Sequence, residues 1–348
     1  MRIALVNDVP IALEILRRVV TPIPGAAIAW TARDGEEAVA RCREDTPDLI
    51  LMDLIMPKMN GAEATARIMR QCPCAILVVT ASVGVNAGLV YEAMGYGALD
   101  AVKTPSLGLA GDLDGARLLV EKINRIGLIT GKQDLAATRL PFTVAPPSPT
   151  DSSPTKSGPA LRLPPLLAVG ASTGGPQALA HILGRLPADY PAALLLVQHV
   201  DEAFAQGLAD WLGQRTPLTV RIAREGDVPK AGTVFLASTA NHMTLNSVGQ
   251  LHYCEEPKSK IYRPSVDVLF ESLVHHAPRP GTAVLLTGMG RDGAAGMALL
   301  HAKGWTTYAQ GPKTSVVYGM PRAAAERGAV TAIKELDDLA QTLGRAFR

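Results

Sequence analysis

Two α/β units in series, each built around a parallel sheet, are predicted by three observations. Short apolar runs alternate with helix-patterned segments before residue 130 and again after residue 165. A stretch rich in proline, serine and threonine separates the two alternating regions. The 348 residues also exceed one ordinary domain, for which roughly 150 residues is a typical size.

In the first unit, residues 1–130, apolar runs at 3–6, 27–30, 49–52, 75–79 and 99–102 are read as five strands. Asp34 followed by Glu37 three residues later forms a capping-box pattern that opens the second helix. Leu119, Val120, Ile123 and Ile126 give the last helix an apolar stripe. Ligands of such sheets bind at the carboxyl ends of the strands, which singles out Asn7-Asp8 and Asp53, closing the first and third runs. Two carboxylates converging there repel each other unless a hard cation such as Mg2+ lies between them. Alternatively, each aspartate only caps the helix that follows it.

Residues 131–165 form the connector, where Pro141, Pro146-Pro147, Pro149, Pro154, Pro159 and Pro164-Pro165 alternate with Ser, Thr and Gly. This composition buries too little apolar surface to fold alone, and an extended path of about 3.1 Å per residue would span several tens of Å.

In the second unit, residues 166–348, strands are expected at 166–169, 193–197, 234–237 and 283–286, with a β-hairpin from 243–245 and 250–253 inserted among them. Ser265 starts an amphipathic helix through Val268, Leu269, Leu273 and Val274. The first strand runs directly into Gly170-Ala171-Ser172-Thr173-Gly174-Gly175-Pro176, and Pro176 suits the first turn of a helix. Ser172 is thereby set near unsatisfied backbone N–H groups and the positive end of a helix dipole, where an oxyanion can be stabilised. Two other readings are a glycine-rich phosphate cradle, although the lysine of a Walker loop is missing, and a simple helix N-cap.

A nucleophilic serine needs a base, and the base needs an orienting acid. His199 follows the strand at 193–197 and Asp292 lies just past the strand at 283–286, so both reach the strand ends where Ser172 sits. The competing readings are a satisfied loop histidine and an aspartate capping the helix that begins near Gly293. His181, His275, His276 and His301 fall on expected helices, and His242, in a loop, is a further candidate.

Composition narrows the functional class. A net charge of +2 without a long basic run does not indicate nucleic-acid binding. No apolar run reaches the ~18 residues needed to span a bilayer, and Asn7-Asp8 interrupts the first run too early for a signal peptide. A cytoplasmic protein without membrane insertion is expected. Cys42, Cys72, Cys74 and Cys254 show neither metal spacing nor disulfide density and are read as reduced thiols.

Leu51-Met52-Asp53-Leu54-Ile55-Met56-Pro57-Lys58-Met59-Asn60-Gly61, with Asp8 and Thr80, resembles a response-regulator receiver domain. The resemblance implies a flavodoxin-like fold in which Asp53 accepts phosphate from a CheA-type histidine kinase. It also implies Mg2+ held by Asp8, Asp53 and the backbone carbonyl of Ile55, with Thr80 as the switch hydroxyl. Two departures stand out: Asn7 replaces an acid, and Lys103-Thr104-Pro105, preceded by Ala101, stands where the family has Thr-Lys-Pro preceded by an aromatic.

In the second unit, Ala171-Ser172-Thr173-Gly174-Gly175-Pro176, Thr287-Gly288-Met289-Gly290, Tyr262-Arg263-Pro264-Ser265-Val266-Asp267 and Met320-Pro321-Arg322-Ala323-Ala324 resemble the CheB-type protein-glutamate methylesterases. That resemblance implies a doubly wound α/β methylesterase domain with the triad Ser172, His199 and Asp292 and no cofactor in the esterase site. The implied substrate is a methyl-accepting chemoreceptor, whose glutamate methyl esters are cleaved with release of methanol; some relatives also deamidate glutamine. An unphosphorylated receiver would cover the site and phosphate at Asp53 would uncover it. Val200-Asp201-Glu202 and Arg291 depart from the family at the rim. Asn7 and Lys103-Thr104-Pro105 resemble the branch called WspF, which serves a surface-sensing pathway. Alternatives to a methylesterase are a non-catalytic, phosphorylation-dependent binding module and a general hydrolase of small esters.

Overall fold

The computed structural model describes residues 1–81, 87–107, 113–131, 163–260 and 262–347. The connector expected at 131–165 thus lies, from 132 to 162, outside the described residues. Among the described residues no helix is long and apolar enough to cross a membrane.

Five parallel strands make the first sheet. They are β1 (Arg2–Val6), β2 (Ala27–Ala32), β3 (Leu49–Met52), β4 (Ala75–Thr80) and β5 (Asp100–Lys103), in spatial order β2-β1-β3-β4-β5. Helices α1 (Pro10–Val20), α2 (Gly35–Glu44), α3 (Gly61–Gln71) and α4 (Ala87–Gly95) connect them. A short ribbon, β6 (Ser106–Leu107) with β7 (Leu113–Asp114), leads into α5 (Ala116–Ile129). All four residues of β3 are buried, as befits a strand covered on both faces. Asp34 caps α2, its Oδ1 accepting the Glu37 N–H at 2.8 Å, while Glu37 returns to the Arg33 N–H at 2.9 Å, one residue ahead of the expected box. On α5, Leu119, Ile123 and Ile126 are buried and Val120 is half-buried.

The second sheet has seven parallel strands in order β10-β11-β9-β8-β14-β15-β16. In chain order the elements are β8 (Leu166–Ala171), α6 (Gly175–Leu183), β9 (Ala193–Gln198), α7 (Glu202–Gly213), β10 (Thr219–Ile222) and β11 (Thr233–Leu236). An antiparallel hairpin, β12 (His242–Leu245) with β13 (Leu251–Cys254), precedes α8 (Val266–His276), so His242 opens a strand rather than lying in a loop. There follow β14 (Thr282–Leu285), α9 (Ala294–Ala302), β15 (Thr306–Gln310), α10 (Met320–Glu326), β16 (Ala332–Lys334) and α11 (Leu336–Arg345). Strands β10, β15 and β16 carry polar residues along their length and lack the apolar run that reveals the central ones.

The two sheets share one hydrophobic core, which passes from the first sheet through α4 into α6 and α7. Tyr91 of α4 is fully buried there. Its ring lies 5.6 Å from that of Trp211, and its hydroxyl donates to the Phe204 carbonyl at 2.6 Å. Gln177 of α6 donates back to the Tyr91 carbonyl at 3.3 Å. Replacing Tyr91 by Phe removes this hydrogen bond from a carbonyl that the α7 ladder still satisfies, a cost of about 0.5–1.5 kcal/mol, and Tyr91→Ala, which adds a cavity, should cost roughly 3–5 kcal/mol. Urea unfolding of the full chain checks the ordering; a Tyr91→Ala variant as stable as the parent would contradict the packing described.

Candidate functional site

Strand β8 delivers Ser172 to the place where the second sheet changes direction, with β9 added on one side and β14 on the other. Such switch points leave a crevice at the carboxyl ends of the strands. The register pairs Ala171 with Gln198, so Ser172 and His199 are the next residues along neighbouring strand ends. The His199 N–H donates to the Ala171 carbonyl at 3.0 Å, and the Ser172 N–H donates to the Thr287 carbonyl at 3.0 Å. Gln198 ties the two loops together, its Nε2 donating to the Ser172 carbonyl at 2.9 Å and the His199 carbonyl at 3.2 Å.

Ser172 is not a helix cap. The N-cap of α6 is Gly174, at φ +77°, a conformation that glycine adopts without strain. Close packing beneath the serine also demands glycine at 288, where a Cβ would lie 2.7 Å from Ser172 Cβ and 2.5 Å from Met320 Sδ.

Asp292 does not cap the helix that follows it either, since Gly293 holds that position for α9. Its carboxylate instead meets the start of α8, accepting from Ser265 Oγ at 2.7 Å, the Val266 N–H at 2.7 Å and the Asp267 N–H at 3.2 Å. The fourth donor is His199 Nε2 at 2.8 Å. Burial alone would push this carboxyl up, but His199, Ser265 and the helix N–H groups together bring it down to about 2. An ionised carboxylate only accepts, so Nε2 of His199 carries the proton and Nδ1 is the basic nitrogen. That Nδ1 is buried without a hydrogen-bond partner. The structure therefore joins His199 to Asp292 and places Ser172 on the adjoining strand end without a bond to the ring.

Two further groups steady this arrangement. His242 is fully buried, its Nδ1 accepting the Ser265 N–H at 3.1 Å, and burial pushes its pKa down, keeping it neutral. Tyr262 stacks flat on His199, with ring centroids 4.1 Å apart and planes 3° from parallel. A cavity of about 370 Å³ opens beside these rings, lined by His199, Tyr262 and Thr239 and, from the first unit, by Lys122 and Arg125 of α5. His181 lies on α6, His275 and His276 on α8, and His301 on α9, away from this cavity.

At the carboxyl edge of the first sheet, Asn7, Asp8, Asp53 and Thr80 close or follow the neighbouring strands β1, β3 and β4. Neither aspartate caps a helix: the caps of α1 and α3 are Val9 and Asn60. Asp53 accepts from Asn7 Nδ2 at 3.0 Å and from the Leu54 N–H at 2.8 Å. Burial raises its pKa to about 6; the Leu54 N–H opposes that rise and the Asp8 charge adds to it. Thr80 is buried. Lys103 is exposed, whereas Thr104, whose N–H donates to the Thr80 carbonyl at 3.0 Å, keeps a buried hydroxyl without a partner. Among the described residues there is no cluster of three or more His, Cys, Asp or Glu side chains fit to hold a metal.

The profile described as CheB methylesterase matches residues 167–343, and the response regulator receiver domain profile matches residues 3–106. The chain belongs to the CheB methylesterase family. Among similar CheB-type proteins, the protein-glutamate methylesterase/protein-glutamine glutaminase 2 of Burkholderia pseudomallei is 51% identical over 343 residues, covering 99% of this chain and 96% of the relative. A protein-glutamate methylesterase/protein-glutamine glutaminase of Mesorhizobium japonicum is 52% identical over 338 residues, covering 97% and 96%. The crystal structure of the Thermotoga maritima CheB methylesterase catalytic domain matches with a TM-score of 0.50 and 32% identity, over 52% of this chain and 97% of that one.

In this CheB-family chain, sequence reasoning missed the supporting roles of Gln198 and Tyr262, and held His242 as a further candidate without its bond to Ser265. Tyr262 and Ser265 lie within one of the motifs that carry the resemblance, yet their partners are distant in sequence: Ser265 meets Asp292 across 27 residues. The low pKa of Asp292 has a consequence for stability. Its folded value lies below the ordinary ~3.9, so its contribution is fully present above that range and is lost as pH falls toward 2. Acid unfolding of the parent should therefore be steeper between pH 5 and 2 than that of Asp292→Asn. Identical pH dependence would contradict the bonding described.

Proposed function

We propose that this chain is a serine hydrolase that cleaves glutamate γ-methyl esters on methyl-accepting chemoreceptors, and that a CheA-type histidine kinase controls it through Asp53. The observation that carries this reading is the buried His199–Asp292 pair on the loops flanking Ser172. His199 Nδ1 takes the Ser172 proton as Oγ attacks the ester carbonyl. Asp292 stabilises the imidazolium that forms. The N-terminus of α6, starting at Gly175, favours the negative charge that develops on the carbonyl oxygen. The same proton then passes to the leaving methoxide, methanol departs, and water activated by His199 releases the glutamate carboxylate. Both relatives' names also include glutaminase, and the same acyl transfer with ammonia as leaving group would deamidate receptor glutamine.

The proposed division is a receiver at 1–130, a connector at 131–165 and the methylesterase at 166–348, all acting in the cytoplasm. Within the receiver, Asp8, Asp53 and the Ile55 carbonyl would hold Mg2+. The all-oxygen donor set and the repulsion that Asp8 exerts on buried Asp53 fit a hard cation, with water completing its shell. When bound, Mg2+ supplies charge neutralisation for the incoming phosphoryl group. Asn7, whose Nδ2 donates to Asp53 Oδ2 and whose Oδ1 accepts the Val9 N–H, contributes position rather than charge. Thr80 serves as the switch hydroxyl.

Methanol release from methylated receptor should fall by about a thousand-fold or more in Ser172→Ala; undiminished release would overturn the assignment. Asp53→Asn should abolish phosphate incorporation from a CheA-type kinase, and labelling equal to the parent would place the phosphoacceptor elsewhere.

A further inference from the structure

One face of the His199 ring is covered by Tyr262, and the receiver in turn places a side chain over the Tyr262 ring. The guanidinium carbon of Arg125, on α5, lies 5.1 Å from the Tyr262 ring centroid. Arg125 contacts Tyr262 and Tyr262 stacks on His199, a chain of contacts that begins in the first unit and ends on the proposed general base. Building on the assignment of His199 as that base, we propose that Tyr262 is a positioning residue for His199, and that Arg125 makes it a relay by which the receiver restrains the base directly.

The physical argument starts with the freedom of an imidazole. One hydrogen bond, from Nε2 to Asp292, fixes a point on the ring but leaves it free to swing about that point. A parallel aromatic face at 4.1 Å removes that swing, because tilting the ring would break the contact over its whole area. Tyr262 is itself only half-buried, so its position depends on what else holds its ring. Arg125 is well suited to that role, since a planar guanidinium stacks on an aromatic face and is attracted by its quadrupole. Arg125 forms no ion pair among the described residues, and its charge is directed at the Tyr262 ring.

The geometry also separates this contact from the packing of α4. Tyr91 anchors α4 in an apolar core and bonds to backbone on α7, a contact that holds the two units together without touching the catalytic ring. The α5 contact lies at the polar cavity beside His199, next to Lys122, which is engaged with Asp100 at 2.6 Å. A receiver that shifted by a few ångströms could keep part of the apolar anchor while lifting Arg125 from Tyr262. Closed, the stack holds Tyr262 and His199 in the resting position in which Nδ1 has no partner; released, Tyr262 follows the ring to the serine.

The test measures kcat and KM for methanol release by the full chain, with and without phosphorylation, in Arg125→Ala, Tyr262→Leu, Tyr262→Phe and the Arg125→Ala/Tyr262→Leu double variant. Arg125→Ala should raise the unphosphorylated kcat several-fold toward the phosphorylated value and leave the phosphorylated kcat in place. Tyr262→Leu should lower kcat at least tenfold in the phosphorylated state with little change in KM, and Tyr262→Phe, which keeps the ring, should recover most of that loss. In the Tyr262→Leu background, removing Arg125 should have no further effect on kcat. An Arg125→Ala variant that behaves as the parent in both states overturns the proposal. So does an activation by Arg125→Ala that is equally large without the Tyr262 ring, which would mean plain steric cover. If the parent itself releases no methanol when phosphorylated, the hydrolase reading falls, and this inference with it; an active parent with an inert Arg125 removes the inference alone.

Discussion

A carboxylate held ionised inside the protein is the constraint around which the catalytic unit is built. Asp292 is almost inaccessible to water, and an unpaired charge there would cost several kcal/mol. Four donors prevent that: His199, the Ser265 hydroxyl and two N–H groups at the start of α8. Helix α8 must therefore begin at Ser265 and point its amino end at the loop after β14. His242 at the head of the hairpin secures that start by accepting the Ser265 N–H. The tautomer of His199 follows from the same charge, which leaves Nδ1 as its basic nitrogen.

Both units place their chemistry at the carboxyl edge of a parallel sheet, for the same topological reason, but they use it differently. The receiver edge gathers Asp8 and Asp53, whose charges repel; the methylesterase edge gathers Asp292, bonded to His199, with Ser172 on the adjoining strand end. Two helices of the receiver link the edges. Helix α4 supplies apolar adhesion through Tyr91, and α5 brings Arg125 to the ring stacked on His199. Adhesion and the proposed control thus rest on different side chains.

Much of this was legible in the sequence because central strands of parallel sheets are buried on both faces and appear as apolar runs. The run at 49–52 coincides with β3, and the runs ending near Ala171 and Gln198 place Ser172 and His199 at strand ends. The edge strands β10 and β16 were not legible, since half-exposed residues carry no such signal. Local sequence also left Ser172 and Asp292 open as helix caps, and only the φ angles of Gly174 and Gly293 and the bonding of Asp292 to α8 decide against it. The stack on His199 joins residues 125, 199 and 262 across two units, and no periodicity within either segment encodes such a meeting. At the receiver edge the exchange of Lys103 and Thr104 was visible as a departure. That it leaves the lysine exposed and buries an unpaired hydroxyl follows from the alternation of faces along β5 and its extension.

The most direct measurement of the coupling between these edges is the rate at which a fluorophosphonate labels Ser172 in the full chain, before and after phosphorylation of Asp53. Labelling requires both access to the hydroxyl and a histidine free to take its proton. A clear acceleration on phosphorylation, absent in Asp53→Asn, is predicted; equal rates in the two states would contradict a receiver that governs the serine.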